Sequence, residues 1–172
     1  ETGDFYVADL KAAGVDTNMD GERDDGVTGK CLVMVTPDAE RTMNTYLGIT
    51  SNLEEKHIHE EALAASEYVY IEGYLVTSDT SRSAAIKVRE LPRKHNVKVA
   101  MTFSDPAMVQ FFKDGLLEML GDGVDLLFCN EQEARLLGDT DNLDDAIEAV
   151  KRYAKTFAIT RGSDGALAYD PQ

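Results

Sequence analysis

From residue 54 onward, short apolar runs alternate with longer segments whose apolar positions recur every three or four residues. The short runs have the length of buried strands, and the longer segments have the period of amphipathic helices. The pattern predicts strands at 68–71, 97–103, 124–129 and 156–160, and helices at 54–66, 79–91, 106–120, from Asn130 onward and at 142–155. Such alternation predicts an α/β fold, in which a parallel-rich sheet carries helices on both faces.

The first 50 residues follow a different pattern. Residues 4–13 have helical spacing, and a polar, glycine-bearing loop occupies residues 16–29. Residues 31–36 and 41–50 predict two strands joined by a turn. Because strands joined by a tight turn pair antiparallel, we expect a small β-hairpin beside the main sheet.

Acidic residues outnumber basic ones. Lys and Arg total 17, Asp and Glu total 32, and the net charge is −15. This charge argues against nucleic acid as a partner, because that binding rests on cationic neutralisation of phosphates. To bind a phosphate, the chain would need a local source of positive charge, such as an arginine at the site, a helix N-terminus or a divalent cation.

The composition also bears on the compartment. The sequence contains no run of 18 apolar residues, which argues against a membrane span, and its first nine residues have no pattern of a signal peptide. Cys31 and Cys129 each lie in an apolar run without metal or disulfide spacing. We predict two buried, reduced thiols in a cytoplasmic protein. His57, His59 and His95 form no metal-binding pattern.

Residues 16–21 have the spacing of half a calcium-binding loop. Side-chain oxygens stand at Asp16, Asn18 and Asp20, and the glycine that follows would permit the sharp turn. The twelfth position should hold a bidentate glutamate, but it is Val27. The segment therefore favours a plain acidic loop, and a calcium-binding domain ranks behind the other functional interpretations.

Two polar segments follow apolar strands. Asn130 and Glu133 come directly after the strand at 124–129, where their spacing suits a capping box that simply begins a helix. The same placement suits phosphate or hydrated magnesium, because ligands of open α/β sheets lie beyond the carboxyl ends of the strands. The turn at 160–165 either joins a plain hairpin to residues 166–169 or lets a phosphate chain approach its glycines.

Arg41 follows an acidic turn at residues 37–40. It suits a surface ion pair with Glu40 or Asp38, which would contribute little stability. It equally suits a guanidinium that clamps a phosphate. The residues around Arg41 leave both interpretations open.

Four segments, taken together and in order, resemble the ribokinase-like, PfkB-type kinase family, and above all its bacterial adenosine kinase-like branch. They are TGKCLVMVTPDAERTMNTYLG (28–48), YIEGYLVTSDTSR (70–82), CNEQEA (129–134) and ITRGSDGALAYD (159–170). The resemblance implies transfer of the γ-phosphoryl group of ATP, with Mg²⁺, to a hydroxymethyl group of a nucleoside or sugar. It also implies a small β lid over the substrate and, in some relatives, a homodimer formed through that lid.

The resemblance implies a role for each candidate residue. Asn130 matches the family's N-x-x-E element and would bind ATP, while Glu133 of the same element would hold Mg²⁺ through water. Thr160, Gly162 and Gly165 match the family's nucleotide-binding turn. Arg41 matches a lid-side arginine that reaches the transferred phosphate.

The resemblance also divides the chain. Residues 1–29 would hold an N-terminal helix and acidic loop of the core, 30–50 the lid strands, and 51–172 an incomplete α/β nucleotide-binding core. We expect both ends to be truncated, because neither the family's substrate-binding glycine pair nor its G-A-G-D element is present. No catalytic residue is therefore assigned, and we expect residues 1–172 alone to be inactive. The alternative is a catalytically silent binding module of the same fold.

Overall fold

A computed structural model describes residues 2–17, 25–38 and 41–171 of the chain. The chain forms two compact units, Glu1–Asn52 and Leu53–Gln172. The greater part of the calcium-loop pattern and the last two residues of the predicted turn at 37–40 lie outside the described residues.

Where the structure describes it, the first unit contains one α-helix and one hairpin. Helix α1 spans Thr2–Ala12, and strands β1 (Lys30–Val35) and β2 (Arg41–Tyr46) pair antiparallel, with Lys30 opposite Tyr46 and Val35 opposite Arg41. A 3-10 turn, Gly48–Asn52, follows. Every residue of both strands is exposed. The predicted separate antiparallel hairpin is confirmed.

The second unit is a five-stranded sheet flanked by helices. Its strands are β3 (Tyr68–Glu72), β4 (Lys98–Thr102), β5 (Val124–Asn130), β6 (Ala154–Thr160) and β7 (Ala166–Tyr169). They lie in chain order across the sheet, β3 to β6 parallel and β7 antiparallel to β6. The predicted α/β fold with a parallel-rich sheet is confirmed.

Helix α2 (Glu60–Ala64) precedes the first strand of this sheet, and the other helices of the unit connect its parallel strands in pairs. They are α3 (Asp79–Glu90), α4 (Pro92–His95), α5 (Pro106–Phe111), α6 (Lys113–Leu120), α7 (Glu131–Gly138) and α8 (Leu143–Lys151). Among the helices that the structure describes, none has both the length and the apolar character needed to cross a membrane.

The core lies on both sides of the sheet. Three consecutive β4 residues, Val99, Ala100 and Met101, are all buried. Because neighbouring strand residues point to opposite faces, this run requires cover on both faces. The largest wholly buried side chains include Phe103 and Phe157, whose removal from water is worth about 1.5–3 kcal/mol each.

Two predicted helices are broken in the structure. The segment predicted as a helix at 54–66 is a 3-10 turn, Glu55–His57, followed by extended backbone at Ile58 and His59 and only then by α2. The segment predicted at 106–120 divides at Phe112, whose φ of −129° and ψ of 28° are not helical. Contacts with the end of α7 hold the start of α6, because the Lys113 ammonium donates hydrogen bonds to the Leu136 carbonyl and to the Asp139 carboxylate.

The two cysteines occupy opposite environments. Cys129 in β5 is buried, as predicted, but Cys31 in β1 is exposed, so the prediction of two buried thiols is wrong for Cys31. No described residue covers the hairpin at this position, because all six residues of β1 are exposed; the apolar run around Cys31 did not indicate this. Burial, and then the nearby Glu133 carboxylate, raise the pKa of Cys129 to about 12.

We expect iodoacetamide at about pH 8 to modify Cys31 rapidly and to leave Cys129 unmodified in the folded chain, because the thiolate is the reacting species. Intact-mass spectrometry with time would measure the two rates. Cys31→Ser should remove the fast reaction, and denaturant should then expose the second thiol. Rapid modification of folded Cys31→Ser protein would contradict this assignment.

Candidate functional site

Two of the residues predicted to bind a nucleotide lie side by side at the carboxyl edge of the sheet. Strands β5 and β6 are parallel neighbours, and their last residues, Asn130 and Thr160, are register partners. Helix α7 begins at the residue after Asn130, and a glycine-bearing turn begins just after Thr160. The structure therefore brings together two segments that are far apart in sequence.

Asn130 and Glu133 form a reciprocal capping box. The backbone N–H of Glu133 donates to Asn130 Oδ1 at 2.8 Å, and the backbone N–H of Asn130 donates to Glu133 Oε2 at 2.7 Å. The interpretation of these residues as a helix start is thus correct. Capping does not exclude a ligand role, because the Asn130 side-chain amide nitrogen bonds to no other described residue.

Glu133 is a buried acid, with only 3% of its surface exposed. Burial raises its pKa, and the negative charge of Asp105 adds to that effect. Its second oxygen, Oε1, makes no hydrogen bond to any described residue. Where the structure describes the chain, no three acidic, histidine or cysteine side chains group as metal ligands. A cation role for Glu133 would thus run through water, and it stays a prediction.

The turn between β6 and β7 places two glycines in the left-handed region. Gly162 has φ of 56° and Gly165 has φ of 85°, whereas a Cβ at either position would meet nothing within 4 Å. Backbone conformation, not lack of space, therefore requires glycine there. The Arg161 N–H donates to the Gly165 carbonyl at 2.8 Å and closes the turn. The glycine backbone is open to an approaching ligand.

A cluster of two arginines around one glutamate adjoins Asn130 and Thr160. Arg161 Nε donates to Glu131 Oε2 at 2.7 Å, and Arg135 Nη2 donates to Glu131 Oε1 at 2.6 Å. The hydrogen bond from Arg161, followed by that from Arg135, lowers the pKa of Glu131. The cluster carries one net positive charge, and an anionic ligand could compete with Glu131 for Arg161.

The sequence prediction missed this cluster. The i, i+4 spacing of Glu131 and Arg135 was a readable signal. The partnership of Glu131 with Arg161 depends on the adjacency of β5 and β6, which only the fold supplies.

The preceding strand ends at the same edge and contributes more polar groups. Ser104, just after β4, has φ of 71°, which is uncommon for a residue other than glycine. Its hydroxyl donates to Glu72 at the end of β3, at 3.4 Å. Asp105 accepts from the Ala107 N–H at 2.7 Å and caps α5. Strain of this kind often accompanies ligand sites.

Arg41 is the one predicted site residue in the other unit. It is the first residue of β2, is exposed, and lies opposite Val35. The structure describes it within Glu1–Asn52, whereas Asn130 and Thr160 belong to Leu53–Gln172. Its predicted contact with a phosphate at the sheet edge stays a prediction.

Comparison with known proteins relates this chain to kinases. Residues 1–172 match the family described as pfkB family carbohydrate kinase. The adenosine kinase of Dictyostelium discoideum is 26% identical over 157 residues, which cover 83% of this chain and 45% of that protein.

Two solved structures extend the comparison. The adenosine kinase of Sinorhizobium meliloti has a TM-score of 0.92 at 31% identity, over 99% of this chain and 52% of that chain. A protein described as ribokinase II of E. coli, in complex with ATP and Mg²⁺, has a TM-score of 0.84 at 21% identity, over 98% of this chain and 56% of that one. This second likeness concerns the fold alone. The chain thus spans about half the length of the relatives it matches.

Proposed function

This chain belongs to the pfkB family of carbohydrate kinases, and we propose that it supplies the nucleotide-binding part of an ATP-dependent kinase. The reaction is transfer of the γ-phosphoryl group to a hydroxymethyl group of an adenosine-like nucleoside or of a sugar. The observation that carries this proposal is the register pairing of Asn130 with Thr160 at the carboxyl edge of the sheet. That edge is where open α/β sheets bind ligands.

The edge offers three kinds of group to a phosphate chain. The N-terminus of α7 carries the positive end of the helix dipole. The turn at Gly162 and Gly165 leaves its backbone open to approach. Arg161 provides a guanidinium beside Thr160. Together these groups would supply the local positive charge that phosphate binding requires on a chain of net charge −15.

Magnesium fits this edge only as an ion held largely by the nucleotide. Mg²⁺ retains waters and commonly takes one or two carboxylates together with substrate phosphates, whose charge it neutralises. Glu133 would contact it through water from Oε1, and Asp105 is the neighbouring carboxylate. Asn130 would hold a phosphate oxygen with its side-chain amide while its Oδ1 keeps α7 in place.

The hairpin of the first unit would act as a lid over the acceptor. Leu32, Val33, Met34, Val35 and Met43 are all exposed, which is an unusual density of apolar surface for two strands. A substrate or a second copy of the lid would cover such a surface. Arg41, at the start of β2, would reach the transferred phosphate.

A nucleoside is the acceptor that we favour, because the relatives described above include two adenosine kinases. The family description leaves a sugar as the second candidate. A silent binding module of this fold would bind ATP without transfer. Inactivity of residues 1–172 by themselves stays a prediction, to be read from a coupled assay on that segment.

The proposal is tested by titrating the full protein with ATP and Mg²⁺, and by a coupled assay against nucleosides and sugars. Asn130→Asp should weaken ATP binding by about 10–100-fold, because a carboxylate replaces a donor to phosphate while remaining a good N-cap. Asn142→Asp is the matched control, since the Asn142 side chain also caps a helix, α8, but Asn142 does not end a strand of the sheet. Equal ATP affinity in both variants would overturn the site, and binding without transfer to any acceptor would favour the silent module.

A further inference from the structure

A second concave site lies at the opposite, amino edge of the sheet. A cavity of about 440 Å³ is bordered by Gly123 and Val124 at the start of β5 and by Tyr153 and Ala154 at the start of β6. The seven-residue strand β5 separates it from Asn130, a span of about 20 Å. The cavity is thus distinct from the candidate nucleotide site.

The cavity concentrates positive charge on an acidic chain. Of the 17 Lys and Arg residues five line it, but of the 32 Asp and Glu residues only Asp122 and Asp125 do. The cations are Arg89, Arg93, Lys151, Arg152 and Lys155. The lining therefore has a net charge of 5 − 2 = +3, whereas the whole chain has −15.

Carboxylates neutralise part of this charge. Lys155 pairs with Asp125 at 2.6 Å, and Arg93 pairs with Asp122. From outside the lining, Glu90 pairs with Arg89 at 3.3 Å and Glu148 with Lys151 at 2.6 Å. When those two acids are included, the net charge around the cavity is +3 − 2 = +1.

The surplus positive charge corresponds to Arg152. Its guanidinium makes no ion pair or hydrogen bond with any described part of the chain. Arg152 directly follows α8 and is exposed, so an anion can reach its guanidinium. It also borders a neighbouring hollow that contains Asp139, Asp145 and Glu148.

Arg89 gives the cavity a fixed wall. The residue is 8% exposed, and its guanidinium lies so close to Gly121 that a Cβ there would come within 2.3 Å of Nη1. Gly121 has φ of 57°, so conformation and space both require glycine. The Arg89 Nε has no hydrogen-bond partner among the described residues. Since a buried donor without a partner is costly, the arginine is held there at a cost in stability.

We infer that this cavity binds a small anion carrying more than one phosphate group. A polyphosphate has enough charge to contact several of the five cations at once, and the volume is in the range of small-molecule sites. A divalent cation is disfavoured by the same charge. Half-buried Tyr153 adds an aromatic surface beside the phosphate-binding groups.

The experiment uses the ¹⁵N-labelled full protein titrated with pyrophosphate at constant ionic strength. Amide shifts should change at Gly123 and Tyr153, and Arg152→Gln should weaken this binding by about tenfold or more, because a charge-assisted hydrogen bond is lost. Lys94→Gln is the matched control, since Lys94 adjoins Arg93 in α4 but does not line the cavity. The control should bind pyrophosphate like the unaltered protein.

The outcomes separate this site from the proposed kinase function. Shifts confined to Asn130 and Gly162, abolished by Arg161→Gln, would place pyrophosphate at the nucleotide site and overturn the inference while supporting that function. Shifts scattered over surface lysines, or equal affinity in Arg152→Gln and Lys94→Gln, would also overturn it. Shifts at Gly123 that survive Arg161→Gln but not Arg152→Gln support it, whether or not the protein binds ATP.

Discussion

Phe157→Ala is expected to lower the free energy of unfolding by about 3–5 kcal/mol, the range for removing a buried aromatic side chain. Phe157 lies in β6 with 2% of its surface exposed. Its ring stacks on Tyr169 of β7 at a centroid distance of 5.0 Å, and its register partner in β5 is Leu127. The deletion would leave a cavity between three strands. Urea denaturation followed by far-UV circular dichroism would measure the change.

Phe111→Ala is the matched control for this prediction. Phe111 ends α5 and is 69% exposed, so the same chemical change there should alter stability by no more than about 0.5 kcal/mol. Equal losses in the two variants would show that Phe157 is not packed as the structure describes.

Glu133→Gln is expected to reduce magnesium-dependent phosphoryl transfer in the full protein by about 10–100-fold, the usual cost of altering a residue that acts on a metal through water. This expectation rests on the proposed function. Glutamine can keep the reciprocal capping of Asn130, so α7 should remain in place. The measurement is the rate as a function of Mg²⁺ concentration, in which the apparent affinity for Mg²⁺ should fall.

The stability of Glu133→Gln provides an independent check. Burial raises the pKa of Glu133, so the folded state disfavours ionisation; the cost in stability begins as the pH rises through the unfolded-state pKa and is complete above the folded pKa. Where the carboxyl is ionised, the uncharged amide should therefore be at least as stable. Glu118→Gln, an exposed acid paired with Arg82, is the control and should change neither property. Unchanged dependence on Mg²⁺ in Glu133→Gln would remove the residue from the site.

Local sequence signals predicted the sheet more accurately than the helices. The strands at 124–129 and 156–160 were evident because buried parallel strands are continuous apolar runs, and the structure extends them only to Asn130 and back to Ala154. The break at Phe112 was not evident, because it depends on contacts from α7 to Lys113. Helix propensity is summed over a window of neighbouring residues, whereas this break in the helix depends on groups that are distant in sequence.

The candidate site was also predictable only in part. Asn130 and Thr160 could be selected because each follows a predicted strand, and polar groups at that position point to a ligand. The bond between Glu131 and Arg161 could not be predicted, since strand order within a sheet is not contained in the periodicity of either strand. The exposure of Cys31 was missed because an apolar alternation indicates a strand without indicating what covers it.

The strand order has a consequence for how the chain folds. Each strand of the sheet pairs with its neighbour in sequence: Tyr68 with Lys98, Ala100 with Leu126, and Val124 with Ala154. Every pairing therefore closes only one connection, which holds two α-helices between parallel neighbours and a short turn between β6 and β7, so the entropy lost at each closure stays small. The sheet can grow one strand at a time in the order of synthesis, without a late strand having to insert between two earlier ones.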